Sequence, residues 1–511
     1  MIPSQEKPGA APARHPTLTR RELMQGTAAL AASSLLSACG GSSNGAAAPP
    51  QANPQPVPSG TLTPASLIVN ASAVGSIGSA FAGLSYEKSK LYGPLFNASN
   101  SDLIGMFKRL GPSILRIGAN SVDRNVWNPN GPGQTAGQIG PSDVASLAGF
   151  VKAAGWQCLY GVNLGGAATG ATTPTLAAAE VAYAAAQFGS SLLGIEIGNE
   201  PDLYGKAGSY FAGNWSLSRF LTLWEQFRAS ILASTPDVPI TGPADSGHEA
   251  SWTVPFGKAV TKREITLLTQ HYYRANGQLA TSTAEFLITP DPKLIADLSI
   301  LAAGAQSIGV PYQIAECNSF YHGGSSGVSN SYASSLWVID YLFNCAQGGA
   351  LGVNFHSGGN GPGYTPIADS GGSVVGARPE FYGILLFTLA GQGTLYSTQI
   401  SAGSRNVTAY AVKTSSGNLN LVVVNKDLAA NLQLTTQLPQ SANSATLIAM
   451  TQLTSGAGGP ELAATSGITI QGASVNPDGT FSPAAAYTLQ PSGPRLTYYV
   501  PALSAVLIQI P

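Results

Sequence analysis

The middle of the chain alternates between short apolar segments and longer amphipathic ones. Each of eight apolar segments ends on a polar residue, and helix-like segments such as SDLIGMFKRLG (101–111) and PSDVASLAGFVKAAG (141–155) lie between them. A strand followed by a helix, repeated eight times, predicts an α/β protein built on a (β/α)₈ TIM barrel, whose strand ends converge on one face. The polar strand ends are Glu87, Asn120, Asn163, Asn199 with Glu200, Asp245, His271, Glu316 and His356.

The pattern changes after about residue 390. Short alternating segments such as VTAYAVKT, LNLVVVNKD and SAVLIQIP are separated by Gly, Ser, Asn and Pro, which predicts a β-sandwich. SLIVNAS (66–72) precedes the first barrel strand and has the same pattern, so we place it in that second domain. The predicted domains are a catalytic barrel over 75–388 and a C-terminal β-sandwich over 389–511 that includes the N-terminal strand of 63–74.

The N-terminus is typical of an export signal. Arg20 and Arg21 precede a short apolar run, and Leu-Ser-Ala-Cys ends at Cys39 in the manner of a lipobox. We predict an export signal over 1–39, lipidation of Cys39 and a flexible tether over 40–62. The expected location is periplasmic or at the cell surface, anchored by lipid to the outer membrane; the alternative is an ordinary cleaved secretory signal.

Composition narrows the possible partners. The 511 residues are 10% charged with a formal net charge of -1, and no basic block is present that would track a nucleic acid. Beyond Cys39 the chain has Cys158, Cys317 and Cys345, an odd number that argues against a disulfide framework. Cys158 and Cys317 lie in apolar strand-like segments, where a small buried thiol is expected.

Two carboxylates stand out among the strand ends. Glu200 and Glu316 close the fourth and seventh strands, which face each other across the mouth of a barrel. Paired carboxylates across one gap can hydrolyse a glycosidic bond, since one protonates the leaving oxygen and the other attacks the anomeric carbon or activates water. Pro201 restricts the backbone after Glu200, and Asn199 is placed to bond the sugar 2-hydroxyl.

Together, FAGLSYE, LRIGANSVD, IEIGNEPDLY, QHYY and IAECNSFYHGG resemble glycoside hydrolase family 79 of clan A, most closely its bacterial β-glucuronidase branch, over roughly 65–511. The resemblance implies that Glu200 is the general acid/base and Glu316 the nucleophile. It also implies release of β-linked glucuronic acid with retained configuration. The two carboxyl groups should then lie about 5–5.5 Å apart.

The same resemblance implies residues that bind the sugar. Glu87, Asn120 and Asp123 match positions that hold hydroxyl groups, Tyr273 (or Tyr272) matches a tyrosine beside the nucleophile, and His271 is either a site residue or a core histidine. The uronate carboxylate would be received by Tyr321, Gly363 and Tyr364, with His356 in the same subsite. His322 stands where the family leads us to expect an amide, which suggests a modified sugar such as 4-O-methyl-glucuronic acid.

Three other functions remain open from the sequence. An endo-acting, heparanase-like enzyme would need Lys and Arg along a cleft, and strand-end loops such as NLGGAATGATT contain none. A neutral-sugar β-glycosidase of clan A requires that the tyrosines receive no carboxylate. A glycan-binding lipoprotein would have no use for Glu200 facing Glu316. No metal-ligand spacing or phosphate loop occurs, so we expect no cofactor and a carbohydrate as the partner.

Overall fold

The computed structural model describes residues 53–260, 264–453 and 459–511. The predicted export signal with Cys39, and the predicted tether up to residue 52, lie outside the described residues. From Asn53 the chain differs from a free tether. The side chain of Gln55 donates to the carbonyl of Tyr499 at 2.7 Å and accepts from its N–H at 2.9 Å. These paired bonds imitate an added strand and hold the segment against the sheet described below.

The first part of the described chain contains β1, which belongs to the second domain, then the barrel strands and two short strand pairs in the connecting loops. They are β1 (Leu62–Ile77), β2 (Ala82–Glu87), β3 (Ile114–Gly118), β4 (Val126–Trp127), β5 (Gln138–Ile139), β6 (Gln157–Val162), β7 (Leu192–Ile197), β8 (Ile240–Asp245), β9 (Leu267–Asn276), β10 (Tyr312–Tyr321), β11 (Val353–Ser357), β12 (Ile367–Ser370) and β13 (Ser373–Ala377).

Eight of these strands close into a parallel barrel, in the ring order β2, β3, β6, β7, β8, β9, β10, β11. This confirms the predicted fold class. The register sets His271 on β9 beside Glu316 on β10, and His356 on β11 beside Ser85 on β2. Polar side chains of neighbouring strands therefore share one level at the C-terminal end of the barrel, where such folds hold their active sites.

The helices begin and end where local sequence favours it. In α7, Asp291 caps the N-terminus by accepting from the N–H of Leu294, Pro292 takes the first helical position, and Gly309 ends the helix at a φ of +80°. Within the described ranges no helix is both long and apolar enough to cross a bilayer. The α-helices are α1 (Ser101–Leu110), α2 (Pro141–Ala154), α3 (Pro174–Phe188), α4 (Leu217–Ser234), α5 (Val254–Ala259), α6 (Ala284–Leu287), α7 (Pro292–Ile308), α8 (Tyr332–Gln347) and α9 (Pro379–Ala390).

The second domain is a curled, mostly antiparallel sheet to which both ends of the described chain contribute. β1 pairs with β14 antiparallel and with β17 parallel, which confirms the predicted N-terminal strand. The remaining strands are β14 (Gly393–Ser401), β15 (Val407–Thr414), β16 (Leu419–Asn425), β17 (Asn431–Gln437), β18 (Ala445–Gln452), β19 (Ile468–Ile470), β20 (Tyr487–Leu489), β21 (Arg495–Val500) and β22 (Ser504–Ile510).

Successive side chains along the strands of this sheet pack into two different hydrophobic cores. On β15, Ala409 and Ala411 pack inside the curled sheet, whereas Tyr410 and Val412 join the core that includes the barrel. This alternation follows from the two-residue period of a strand. One face of the sheet therefore packs on the barrel helices.

A partly buried polar cluster also joins the two domains. Asp340 on α8 accepts hydrogen bonds from Thr408 at 2.6 Å and from Tyr410 at 2.9 Å, and it forms an ion pair with Lys426. Lys426 is 3% exposed, so its charge depends on Asp340 for compensation.

Candidate active site

A cavity of about 930 Å³ opens at the C-terminal ends of the barrel strands. Its volume lies near the upper end of the roughly 300–1,000 Å³ usual for small-molecule sites. Most of the residues that the sequence singled out meet here. Those that line it are Glu87, Asn120, Glu200, His271, Tyr272, Tyr273, Glu316, Tyr321, His322, His356, Gly363 and Tyr364.

Glu200 is held on a tight turn just after β7. Its φ of +48° is left-handed and unusual for a residue with a Cβ, and it follows Gly198 at +86°. The N–H of Glu200 donates to the carbonyl of Ala244 at 2.8 Å, which ties the turn to β8. Pro201 then opens a 3₁₀ turn over Pro201–Leu203. A costly backbone conformation held by such contacts is characteristic of functional sites.

Glu316 is buried and held at both oxygens. The Tyr273 hydroxyl donates to Oε1 at 2.8 Å, and Nη1 of Arg116 donates to Oε2 at 2.7 Å. Burial alone would raise the pKa of Glu316, but the charges of His356, His271 and Arg116 and the Tyr273 hydroxyl outweigh it and lower the pKa to about 2. Glu316 is therefore ionised at neutral pH, as an attacking carboxylate must be.

Arg116, which the sequence analysis missed, organises the floor of the cavity. Its guanidinium is fully buried on β3 and donates to Glu196 at 2.7 Å, to Glu316 at 2.7 Å and to Asn199 Oδ1 at 2.8 Å. The fixed fork of donors lets one arginine orient several acceptors. The available signal was a lone Arg in the apolar strand ILRIG, because a buried arginine needs partners.

The two candidate catalytic carboxylates approach each other closely. One carboxylate oxygen of Glu200, one of Glu316 and a ring nitrogen of His271 lie within 4.8 Å of one another. Inverting glycosidases separate their carboxyl groups by about 6.5–9.5 Å to admit a water, whereas retaining enzymes keep about 5–5.5 Å. The geometry therefore fits attack by one carboxylate on a carbon while the other transfers a proton.

His271 lies fully buried between these carboxylates. Its Nδ1 is 3.0 Å from Glu200 Oε1, and its Nε2 has no partner among the described residues. Burial lowers the pKa of His271, but the charges of Glu316 and Glu200 outweigh burial and the opposing charge of Arg116, so the pKa is raised above 6.5. His271 thus belongs to the site and holds one face of Glu200.

The structure separates the roles of neighbouring tyrosines that the sequence left open. Tyr273 reaches Glu316, while the hydroxyl of Tyr272 donates to Asp291 at 2.5 Å, the cap of α7. Both tyrosines line the cavity, but only Tyr273 contacts the candidate nucleophile.

Asp123 and Asn199 support the cavity from behind. Asp123 is buried, accepts from the N–H groups of Leu164 and Gly165 at 2.9 Å each, and accepts from the Tyr204 hydroxyl at 2.5 Å. Its oxygens are thus engaged within the protein, and it does not reach the cavity wall as a sugar ligand would. The oxygen of the Asn199 side chain is engaged by Arg116, which leaves only its NH₂ group to donate to a ligand.

The wall opposite Glu200 is built from the loops after β10 and β11. The Tyr364 ring lies 5.9 Å from those of Tyr273 and His356, and its N–H donates to the carbonyl of Gly323 at 3.3 Å. A Cβ at Gly363 would overlap that same carbonyl oxygen, so glycine is required where these loops cross.

Tyr321 lies at the lip of the cavity, and His356 lies between the carboxylates of Glu316 and Glu87. Tyr321 is 42% exposed at the lip, next to His322, which has a φ of +64°. His356 places Nδ1 at 3.8 Å from Glu316 and Nε2 at 3.9 Å from Glu87. Glu87 also accepts from the N–H of Ser121 at 2.7 Å, which fixes its carboxylate.

Basic side chains also line the cavity, which the strand-end loop sequences did not indicate. Lys90, Lys206 and Lys293 all contribute to the wall, with His248. Lys206 lies well beyond the end of β7, and Lys293 lies in the first turn of α7. Lys90 forms an ion pair with Asp369 at 3.0 Å.

Two groups of side chains within the described ranges have ligand atoms close enough to hold a metal ion. In the first, the Arg116 guanidinium is already 2.7 Å from Glu316 and would repel a second cation. In the second, near the cavity rim, Asp202 accepts from Ser246 and His248, and Asp245 accepts from backbone N–H groups. Burial and the charge of Asp202 raise the pKa of Asp245 to about 7. The first group consists of Glu200, His271 and Glu316, and the second consists of Asp202, Asp245 and His248.

Comparison with known sequences finds fungal relatives. No family model matches the chain. It is 24% identical over 296 residues to a β-glucuronidase of Aspergillus niger, covering 53% of this chain and 54% of the relative. It is 24% identical over 327 residues to a β-glucuronidase of Neurospora crassa, covering 56% and 57%. The chain thus spans about half the length of the curated relatives that it matches.

Solved structures match over most of the chain. A 4-O-α-L-rhamnosyl-β-D-glucuronidase of Fusarium oxysporum superimposes with a TM-score of 0.68 at 17% identity, covering 87% of this chain and 99% of that one. A family 51 α-L-arabinofuranosidase of Bifidobacterium longum gives 0.64 at 16% identity, covering 88% and 100%. At these identities the likeness shows the fold, a (β/α)₈ barrel with a β-sandwich domain.

Proposed function

We propose that the protein is a retaining glycoside hydrolase that releases β-linked glucuronic acid by double displacement. The observation that carries the proposal is the pair of Glu316, held ionised by Arg116 and Tyr273, and Glu200, with oxygens within 4.8 Å. The names of the two fungal relatives support the same substrate class. We further propose that the chain belongs to glycoside hydrolase family 79.

In the first step, a Glu316 oxygen attacks the anomeric carbon as the glycosidic bond breaks. Glu200 gives its proton to the departing oxygen, so the aglycone leaves as an alcohol and a glycosyl ester remains on Glu316. In the second step, Glu200 takes a proton from water, whose oxygen attacks the same carbon. The ester breaks, glucuronic acid leaves with its β configuration, and both side chains return to their starting states.

The uronate carboxylate would be received on the wall of the β10 and β11 loops. Tyr321, Gly363 and Tyr364 line that wall. Hydrogen bonds from neutral donors such as a tyrosine hydroxyl or a backbone N–H to an anion are charge-assisted and stronger than those between neutral groups. A substituent at the sugar 4-position, such as a methyl group, would be accommodated near His322. The Fusarium enzyme, whose name places a rhamnose at that position, supports such tolerance.

Hydrolysis of 4-nitrophenyl β-D-glucuronide beside the matching β-D-glucoside tests the substrate, with Glu316→Gln as the inactive control. We expect the glucuronide to be cleaved with at least a hundredfold higher kcat/KM. Preference for the glucoside would leave the catalytic pair in place but reject the uronate subsite. Turnover of heparan sulfate fragments without turnover of the chromogenic glucuronide would favour the endo-acting alternative.

A paired comparison of glucuronides with and without a 4-O-methyl group tests the role of His322. We expect the methylated substrate to be cleaved at least as well as the unmethylated one. A clear preference for the unmethylated sugar would contradict this part of the proposal.

Export and lipid anchoring are a separate proposal, supported by the Arg20-Arg21 pair and by Cys39 in its lipobox. In a bacterial host, we expect the full chain in the membrane fraction and a Cys39→Ala variant in the soluble fraction. Equal distribution of the two proteins would reject the anchor without bearing on the catalytic proposal.

A further inference from the structure

One side of the cavity is basic. The segments that follow β7, β8 and β9 contribute Lys206, His248 and Lys293 to the wall. Among the described residues of these segments, Glu200 is the carboxylate that lines the cavity, while Asp202 is turned to its partners Ser246 and His248. The wall beside Glu200 therefore presents the cations of Lys206 and Lys293.

Backbone hydrogen bonds connect Lys206 to the turn that carries Glu200. The N–H of Leu203 donates to the carbonyl of Glu200 at 2.9 Å, and that of Lys206 donates to Leu203 at 3.1 Å. The indole of Trp215 donates to the carbonyl of Pro201 at 2.6 Å and closes the segment on itself. Lys206 is exposed and forms no ion pair with any residue of the described ranges, so its charge is available to a ligand.

Lys293 provides a second cation on the same side. Its ammonium lies 5.0 Å from the centre of the Tyr272 ring and pairs with Asp297 one helical turn away. The Lys293 side chain is 55% exposed, whereas that of its partner Asp297 is 13% exposed. The exposed ammonium can therefore contact an anionic ligand while it keeps its bond to Asp297.

The place of these lysines in the reaction follows from the barrel order. β7, β8 and β9 are neighbours, and the tyrosine-lined wall comes from the loops after β10 and β11. Since Glu200 donates to the departing oxygen, groups around Glu200 face the leaving group, whereas the sugar that is cleaved off lies against Glu316.

We propose that the Lys206 and Lys293 side of the cavity is a leaving-group subsite for an anionic residue, so that the substrate carries a carboxylate or a sulfate next to the scissile bond. This inference rests on the proposed glucuronidase activity and narrows it to acidic glycans. Carboxylate and sulfate share the chemistry that a lysine pair recognises, namely an oxyanion beside the departing oxygen.

The test uses phenyl β-D-glucuronides whose phenyl ring carries a neutral carboxamide, a carboxylate or a sulfate at the meta position. kcat/KM is measured for the wild type, Lys206→Gln and Lys258→Gln. Lys258 is an exposed lysine on α5 that does not line the cavity, and it serves as the matched control. Comparing the ratio of anionic to neutral kcat/KM between proteins cancels the differences in leaving-group acidity, because these are the same for every protein.

We expect Lys206→Gln to lower that ratio about tenfold and Lys258→Gln to leave it unchanged. The wild-type ratio should also fall between 50 and 500 mM NaCl, because salt screens exposed charges. A larger effect with the sulfate points to sulfated glycans, and one with the carboxylate to uronate neighbours. A ratio unaffected by Lys206→Gln and by salt, with the glucuronides still cleaved, would overturn the subsite alone. If none of the three glucuronides were cleaved, both proposals would be overturned.

Discussion

One of the groups that stabilise the ionised Glu316 carboxylate is neutral, the hydroxyl of Tyr273, so it can be removed without removing a charge. Replacing Tyr273 with Phe deletes the hydroxyl 2.8 Å from Oε1. Since that bond stabilises the ionised form, its loss raises the pKa of Glu316 from about 2. A hydrogen bond to a charged group is worth about 1.5–3 kcal/mol, so we expect the acidic limb of kcat/KM to move up by at least about one pH unit.

The control for this change lies next to it in the sequence. Tyr272→Phe removes a hydroxyl that bonds Asp291 and does not reach Glu316. Profiles recorded between pH 2.5 and 6 should therefore be shifted for Tyr273→Phe and unshifted for Tyr272→Phe. Equal profiles for the two variants would remove Tyr273 from the control of Glu316.

The role of Glu200 predicts a dependence on the leaving group. Glu200→Ala removes the proton donor, so kcat/KM for a poor alkyl leaving group should fall by about 10²–10⁴-fold. A dinitrophenyl glucuronide needs no proton, so its glycosylation step should be much less affected. Added azide should then restore turnover and give a β-glucuronosyl azide, detected by NMR. An α-azide, or an equal loss for both leaving groups, would contradict the assignment.

The contact between the loops after β10 and β11 can be tested by a single substitution. Gly363→Ala forces a Cβ onto the carbonyl oxygen of Gly323 and must separate the loops that carry Tyr321 and Tyr364. We expect KM for the glucuronide to rise about tenfold or more, with a smaller change in kcat. Gly361→Ala in the same loop is the control, because its Cβ meets no atom within 4 Å. Matching KM values for the two variants would show that the crossing does not shape the subsite.

The barrel strands and the two glutamates were predictable because a β-strand of a barrel carries its chemistry at its C-terminal end. The buried position of Asp123 was not predictable, because the sequence does not show whether a loop carboxylate faces solvent or, as here, accepts from backbone N–H groups. Arg116 lies in mid-strand, where its acceptors come from strands distant in sequence. Whether Lys206 lines the cavity depends on the conformation of the loop after β7, which the pattern of apolar residues does not encode.

For the whole molecule, the Asp340 cluster joins the barrel to the sheet. Asp340→Ala leaves Lys426, 3% exposed, without its carboxylate. Breaking a buried pair costs about 3–5 kcal/mol, and the remaining exposure of Asp340 places the expected loss of unfolding free energy at about 2–4 kcal/mol. Urea unfolding followed by far-UV circular dichroism measures it.

The comparison for this loss is an ion pair on one helix whose carboxylate is exposed. Glu225, 48% exposed, pairs with Arg228 three residues away on α4. Glu225→Ala should cost less than about 1 kcal/mol. If both variants lost the same free energy of unfolding, the cluster would not stabilise the contact between the domains.

The Arg116 network has a consequence for how the barrel is assembled. Its members come from β3, β7 and β10, which are not neighbours in the ring. A chain in which β10 has not yet joined keeps the Arg116–Glu196 pair but lacks the hydrogen bond from Arg116 to Glu316. An incomplete ring therefore loses a charge-assisted bond of about 1.5–3 kcal/mol together with the nucleophile. Closure of the ring and maturation of the catalytic centre become one cooperative event, so a half-built barrel has neither stability nor activity.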